Sequence, residues 1–175
     1  TAPTGGEVLT VGSTKTITWT KTGTLGTVKL EYSTDGGATY PNLIVGTVPA
    51  ADLTYAWTVP DAIGAQVRVR ITLNADATVA SSSAGNFTIK GALALSAPNG
   101  GETWVVGQSQ NITWSRTGSI ANVKLEYSID GGTTYATVIT ASTPAAAGTY
   151  AWTLPDAIGT SLRVRVSDAS DATVS

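Results

Sequence analysis

The sequence predicts an all-β fold built as two antiparallel β-sandwiches in tandem, and three observations carry that prediction. Thr and Ser are abundant among the 175 residues while Lys, Glu and Leu are scarce, a composition that suits strands and starves helices. Apolar and polar residues alternate with a period of two between Gly and Pro turn signals spaced every ~8–12 residues. The chain also repeats itself. Pro3 recurs as Pro98, Trp19 as Trp114, Tyr32 as Tyr127, Trp57 as Trp152 and Arg70 as Arg165, always 95 residues on and without insertion. More than half of the comparable positions are identical, which exceeds what a shared fold demands and indicates duplication.

Each element of the first repeat follows from its alternation. Lys15 to Thr20 sets Ile17 and Trp19 against Thr16, Thr18 and Thr20. Val28, Leu30 and Tyr32 alternate with Lys29 and Glu31, and Asp35-Gly36-Gly37 then turns the chain, Gly supplying the positive φ of a tight hairpin. Thr39 to Val45 returns, with Pro41 marking an edge or a bulge because it has no N–H to give a ladder. Tyr55, Trp57 and Val59 form the next inward row, stopped by Pro60-Asp61. Val67, Val69 and Ile71 point in while Arg68 and Arg70 point out, and Asn86 to Lys90 closes the repeat with Phe87 and Ile89 inward. Ala92 to Ser96 alternates again and reads as the first strand of the second repeat.

Seven short strands in a repeat of this length describe an immunoglobulin-like (fibronectin-III-like) sandwich. The boundaries are 1–90 for the first repeat, without a counterpart of the Leu93/Leu95 strand, and 91–175 for the second, without a counterpart of Phe87 to Ile89. About two residues are left as linker, so a semi-rigid rod of end-to-end domains is expected. The buried anchors are expected at Trp19, Trp57, Trp114 and Trp152.

Composition excludes several function classes. Without Cys there are no disulfides, thiolate metal sites or cysteine nucleophiles, and without His there is no Ser-His-Asp triad. The net charge of −2 offers no basic field for nucleic acid, and no apolar run approaches the ~20 residues of a membrane helix. The chain opens at Thr1 with no signal-peptide pattern, as a mature protein or an excised piece would.

Several motifs occur twice. Pro3-x-Gly5-Gly6-Glu7-x4-Gly12-x4-Ile17-x-Trp19 returns as Pro98-x-Gly100-Gly101-Glu102-x4-Gly107-x4-Ile112-x-Trp114. Val28-Lys29-Leu30-Glu31-Tyr32-Ser33-x-Asp35-Gly36-Gly37-x-Thr39-Tyr40, Tyr55-x-Trp57-x-x-Pro60-Asp61 and Arg68-Val69-Arg70 complete the set. Together they resemble the Ser/Thr-rich, glycosylphosphatidylinositol-anchored membrane-protein domain family, related to yeast cell-wall β-1,6-glucan assembly proteins, in its bacterial surface-protein version. The resemblance implies an extracellular spacer or adhesive module and supplies no catalytic residues. Tyr40 and Tyr135 stand where an aromatic Trp often occurs in that pattern.

Candidate sites are weighed against plain structural roles. The Asp35 and Asp130 turns each offer one carboxylate, too few for calcium's oxygen shell, and hairpin geometry explains them better. Asp168 and Asp171 with Ser167 and Ser170 make a denser oxygen cluster, where the first repeat offers only Asn74 and Asp76. Glu31 and Glu126 are expected on outward positions in a ladder of opposite charges with Lys29, Arg68 and Arg70 and their repeats, not as the facing carboxylates of a glycosidase. Trp104 stands where the first repeat has Leu9, so the fold does not require it; with Tyr40 and Tyr135 it is the candidate sugar-contact surface. Asn86 and Asn111 head formal glycosylation sequons, and outward Thr and Ser are candidates for O-linked sugars.

The expected function is a non-catalytic structural or adhesive segment of an extracellular stalk, adhesin or filament, without cofactor or metal. The alternative is a carbohydrate-binding module of a secreted or cell-wall protein. The expected partner is another copy of the repeat, in cis or in trans, through strand exchange or head-to-tail contacts, with cell-surface glycan as a further candidate.

Overall fold

Alternation alone places most strands in the computed structural model, which describes residues 2–175; Thr1, which opens the first repeat, lies outside them. The chain divides into two compact units, Thr1–Lys90 and Gly91–Ser175. The first contains β1 (Val8–Thr10), β2 (Thr14–Thr18), β3 (Thr27–Ser33), β4 (Asn42–Pro49), β5 (Thr54–Thr58), β6 (Gly64–Leu73), β7 (Asp76–Ser82) and β8 (Phe87–Lys90). The second contains β9 (Ala92–Ala97), β10 (Ser109–Thr117), β11 (Asn122–Ser128), β12 (Thr137–Pro144), β13 (Thr149–Thr153) and β14 (Arg163–Asp168). The only helices among the described residues are two single 3-10 turns, Ala50–Asp52 and Ala145–Ala147. The protein is all-β.

In the first unit β2 pairs with β5, and the larger sheet runs β1-β8-β6-β3-β4 with β7 also on β6. Inward residues of both sheets meet in one apolar cluster: Ile17, Trp19, Trp57 and Val59 from one side, and Val28, Leu30, Val67, Val69, Phe87 and Ile89 from the other. This is the two-layer core of an immunoglobulin-like sandwich. In the second unit β13-β10-β9 and β12-β11-β14 enclose the equivalent cluster around Ile112, Trp114, Leu125, Trp152 and Val166.

The structure departs from the alternation in physically legible places. β1 and β8 are a parallel pair within an otherwise antiparallel sheet, between segments far enough apart in sequence for a long connection. β4 starts at Asn42, after Pro41, and ends the sheet order as an edge strand. The Trp19 N–H still bonds the Leu53 carbonyl (3.1 Å), the next rung of the β2–β5 ladder, but β2 ends at Thr18. β7 is exposed at every residue, so it carries no apolar alternation to betray it.

Candidate functional site

The chemistry-bearing motifs must first be followed to their partners, because a group committed to the fold is not free for a ligand. Glu7 folds back on its own Pro-x-Gly-Gly turn and accepts from the N–H groups of Thr4 (2.8 Å) and Gly5 (2.7 Å). Glu102 does the same with Asn99 (2.7 Å) and Gly100 (2.8 Å). The repeated acidic residue is a turn clasp.

The Asp-Gly-Gly motif closes in the same manner. Asp35 accepts from the hydroxyls of Ser33 (2.5 Å) and Thr39 (2.6 Å) and from the Thr39 N–H (3.0 Å), while Ser33 Oγ accepts from the Gly37 N–H (2.8 Å). Gly36 and Gly37 hold φ of 74° and 91°, a region a side chain would strain. The Ser33 and Thr39 hydroxyls, followed by the Thr39 N–H, hold the Asp35 carboxyl far below its ordinary value, and Ser128 and Thr134 do so for Asp130. Asp168 accepts from Ser170, and Asp171 from Thr173, each within its own turn, while Ser167 is buried away from both turns' surface. Asn86 accepts from Arg68 Nε at 2.6 Å, and Asn111 is exposed.

Glu31 and Glu126 correct the sequence reading. Both were expected to lie outward, yet they are only 9% and 4% exposed. The ladder itself is present: Glu31 meets Lys29 (2.8 Å) and Arg70 (3.0 Å), and Glu126 meets Lys124 (2.6 Å) and Arg165 (2.8 Å). Aromatic rings sit against the cations, with Arg70 4.3 Å from the Tyr40 ring centre and Arg165 4.3 Å from that of Tyr135. These long side chains cover the carboxylates, which is why alternation misjudged their exposure. Burial raises each carboxyl, but the paired Lys and Arg more than offset it and hold both below the ordinary glutamate value.

This arrangement also locates two of the three aromatic candidates. Tyr40 and Tyr135 each have a guanidinium over the ring and are half-buried, which occupies that face against sugar stacking. The four anchor tryptophans lie in the cores, and the Trp19 and Trp114 indoles donate to the carbonyls of Ala50 and Ala145 at 3.0 Å.

Trp104 differs from all of these. It lines an open groove of about 610 Å³ in the second repeat, with Trp152, Leu154, Ile158, Leu162 and Val164. Its ring meets Trp152 edge-on at 6.3 Å and 76°. The first repeat shows what this place normally holds: Phe87 meets Trp57 edge-on at 6.3 Å and 78°. Sequence reasoning noted the unmatched Trp104 but missed Leu162 and Ile158. The available signal was that their counterparts Val67 and Ile63 border a strand, β8, that the second unit lacks.

No helix among the described residues is long and apolar enough to cross a membrane. No family model matches the chain, so the resemblance to the Ser/Thr-rich family rests on the sequence motifs alone. No curated protein matches either. Among solved structures, the chain is similar to fibronectin(III)-like modules of Clostridium thermocellum CbhA, with 21% identity over 98% of this chain and 85% of that one, and a TM-score of 0.32. A superposition that loose assigns no role.

Proposed function

We propose that the chain is a non-catalytic structural or adhesive repeat segment of a longer surface stalk, adhesin or filament, working outside the cell. One observation carries this reading: the polar motifs that recur at the 95-residue offset are consumed by the fold, in the same geometry, twice. Glu7 and Glu102 clasp turns, Asp35 and Asp130 clasp hairpins, and Glu31 and Glu126 sit in covered ion-pair lattices. What has been duplicated is framework, which suits a chain whose work is to span distance and hold shape under load.

Single-molecule stretching tests it. Each repeat should unfold as its own cooperative event at forces that intact sandwiches sustain. Glycan turnover that disappears with Glu31→Gln or Glu126→Gln would contradict the reading.

The carbohydrate-binding alternative is favoured by one feature, the Trp104 groove. Binding on a glycan array that is lost with Trp104→Ala and unaffected by changes in the first repeat would support it.

A further inference from the structure

The groove beside Trp104 has a known occupant in the other repeat. In the first unit β8 lies between β1 and β6, parallel to one (Val8↔Thr88, Leu9↔Ile89, Thr10↔Lys90) and antiparallel to the other (Gly64↔Ile89, Val67↔Phe87). The counterparts of those flanking residues in the second unit are Thr103 to Val105 and Gly159 to Leu162, and neither segment is a strand there. Val67 is fully buried at 0% exposure where Leu162 is 38% exposed, and Ile63 is 42% exposed where Ile158 is 90%. β8 accepts from Val11 N–H through Lys90 and donates from Thr88 to the Glu7 carbonyl, and Asn86, just before it, accepts from Gly6 N–H. Val106, Gly101 and Glu102 stand at the same places in the second unit with no strand beside them. Arg68 is met by Asn86, while Arg163, its counterpart, borders the groove.

We infer that this groove is a strand-acceptor site, and that its occupant is an extended segment of Asn-Phe-x-Ile chemistry supplied from outside the two repeats. Its Phe lies opposite Leu162 and against Trp152, its Ile lies between Trp104 and Gly159, and its Asn accepts from Arg163 Nε. Main-chain pairing supplies affinity and the two apolar pockets supply choice, as in β-strand addition generally. Trp104 makes against Trp152 the kind of contact that Phe87 makes against Trp57, so the indole partly fills the site and competes with the incoming Phe. In this chain a strand of that chemistry, Phe87–Lys90, leads at once into Ala92–Ala97, the strand that opens a repeat. The donated strand can therefore be the junction to a further repeat. The inference deepens the structural-repeat reading and rests on it for where such a strand comes from.

The test uses the 175-residue chain and a labelled peptide of residues 84–91, Ala-Gly-Asn-Phe-Thr-Ile-Lys-Gly. The peptide should bind one to one, shift Trp fluorescence and raise the unfolding midpoint of the second repeat. A peptide with both Phe and Ile replaced by Ser should not bind. Trp104→Leu, which installs the first repeat's residue, should tighten binding by roughly tenfold by removing the competitor. Leu162→Lys, at a partly exposed position, should abolish binding while the repeat stays folded, and it carries the test if Trp104→Leu does not fold. Equal affinity for the Ser-substituted peptide would overturn the assignment. So would weaker binding by Trp104→Leu, displacement of the peptide by a glucan oligosaccharide, or a chain that fills the groove by dimerising without peptide. None of those results touches the spacer role, which the separate unfolding of the first repeat under force decides.

Discussion

The two repeats share a core and its polar clasps, yet β6 runs for ten residues and its counterpart β14 for six. The missing residues are those that β8 would pair. The reverse holds on the opposite sheet: β2 has five residues and its counterpart β10 nine, because β9 extends the ladder of β10 from Trp114 to Thr117. Equivalent segments of the two repeats thus adopt strand or non-strand according to whether a neighbour is present. Strand length here belongs to the pairing and only secondarily to the residues.

The largest test of that comparison is Phe87→Ala. Removing a fully buried aromatic from the first core should cost about 3–5 kcal/mol, and it should leave Val67 as open as Leu162 is already. Leu162→Ala should cost about 1 kcal/mol or less, because a partly exposed side chain has little burial to lose. Equal losses in denaturant titrations of the two variants would mean that β8 is not what separates the repeats. Trp19→Ala and Trp114→Ala, by contrast, should be alike. Each removes an indole that is 5% exposed and leaves a buried carbonyl without its donor, at a cost of about 3–5 kcal/mol to its own repeat.

A smaller effect lies at the turn before β5. Leu53 holds φ of 59° where the second repeat has Gly148 at 65°. A left-handed conformation strains a residue that has a Cβ, so Leu53→Gly should stabilise the first repeat by about 1 kcal/mol in denaturant titrations. Gly148→Leu should destabilise the second by a similar amount.

The acid limb should be the same in both repeats. The folded carboxyls of Asp35 and Asp130 lie below their ordinary 3.8, and those of Glu31 and Glu126 below 4.5. A lowered folded value means stability that is fully present above the ordinary value and is lost as pH falls through the folded one. Carboxyl carbon NMR shifts should therefore titrate late and in matched pairs, Asp35 with Asp130 and Glu31 with Glu126. A pair that splits would show that one clasp is not formed. Smallest of all, Lys29→Ala and Lys124→Ala should each cost only a few tenths of a kcal/mol, since these cations stay partly exposed.

Most of the sandwich was legible because its strands are half-buried and alternate cleanly, as Val28, Leu30 and Val67, Val69 do. β7 was not, because no residue of it is buried, and β1 was not, because three residues are too few to show a period. The ladder of Glu31 with Lys29 and Arg70 was legible, and only its burial was misjudged, because alternation gives the direction of a side chain but not how far its long neighbours lie over it. The groove was half legible: the repeat offset revealed an unmatched Trp104 and an unmatched Phe87, but only the structure set the indole against Trp152 in the manner of the missing ring.

Amide hydrogen exchange in the two repeats compares the paired and unpaired forms of one segment directly. The account predicts strong protection across residues 64–67 at all times. It predicts fast exchange across residues 159–162 in the free chain, slowing when the 84–91 peptide is added. Equal protection of the two segments in the free chain, or no change in the second on adding peptide, would contradict it.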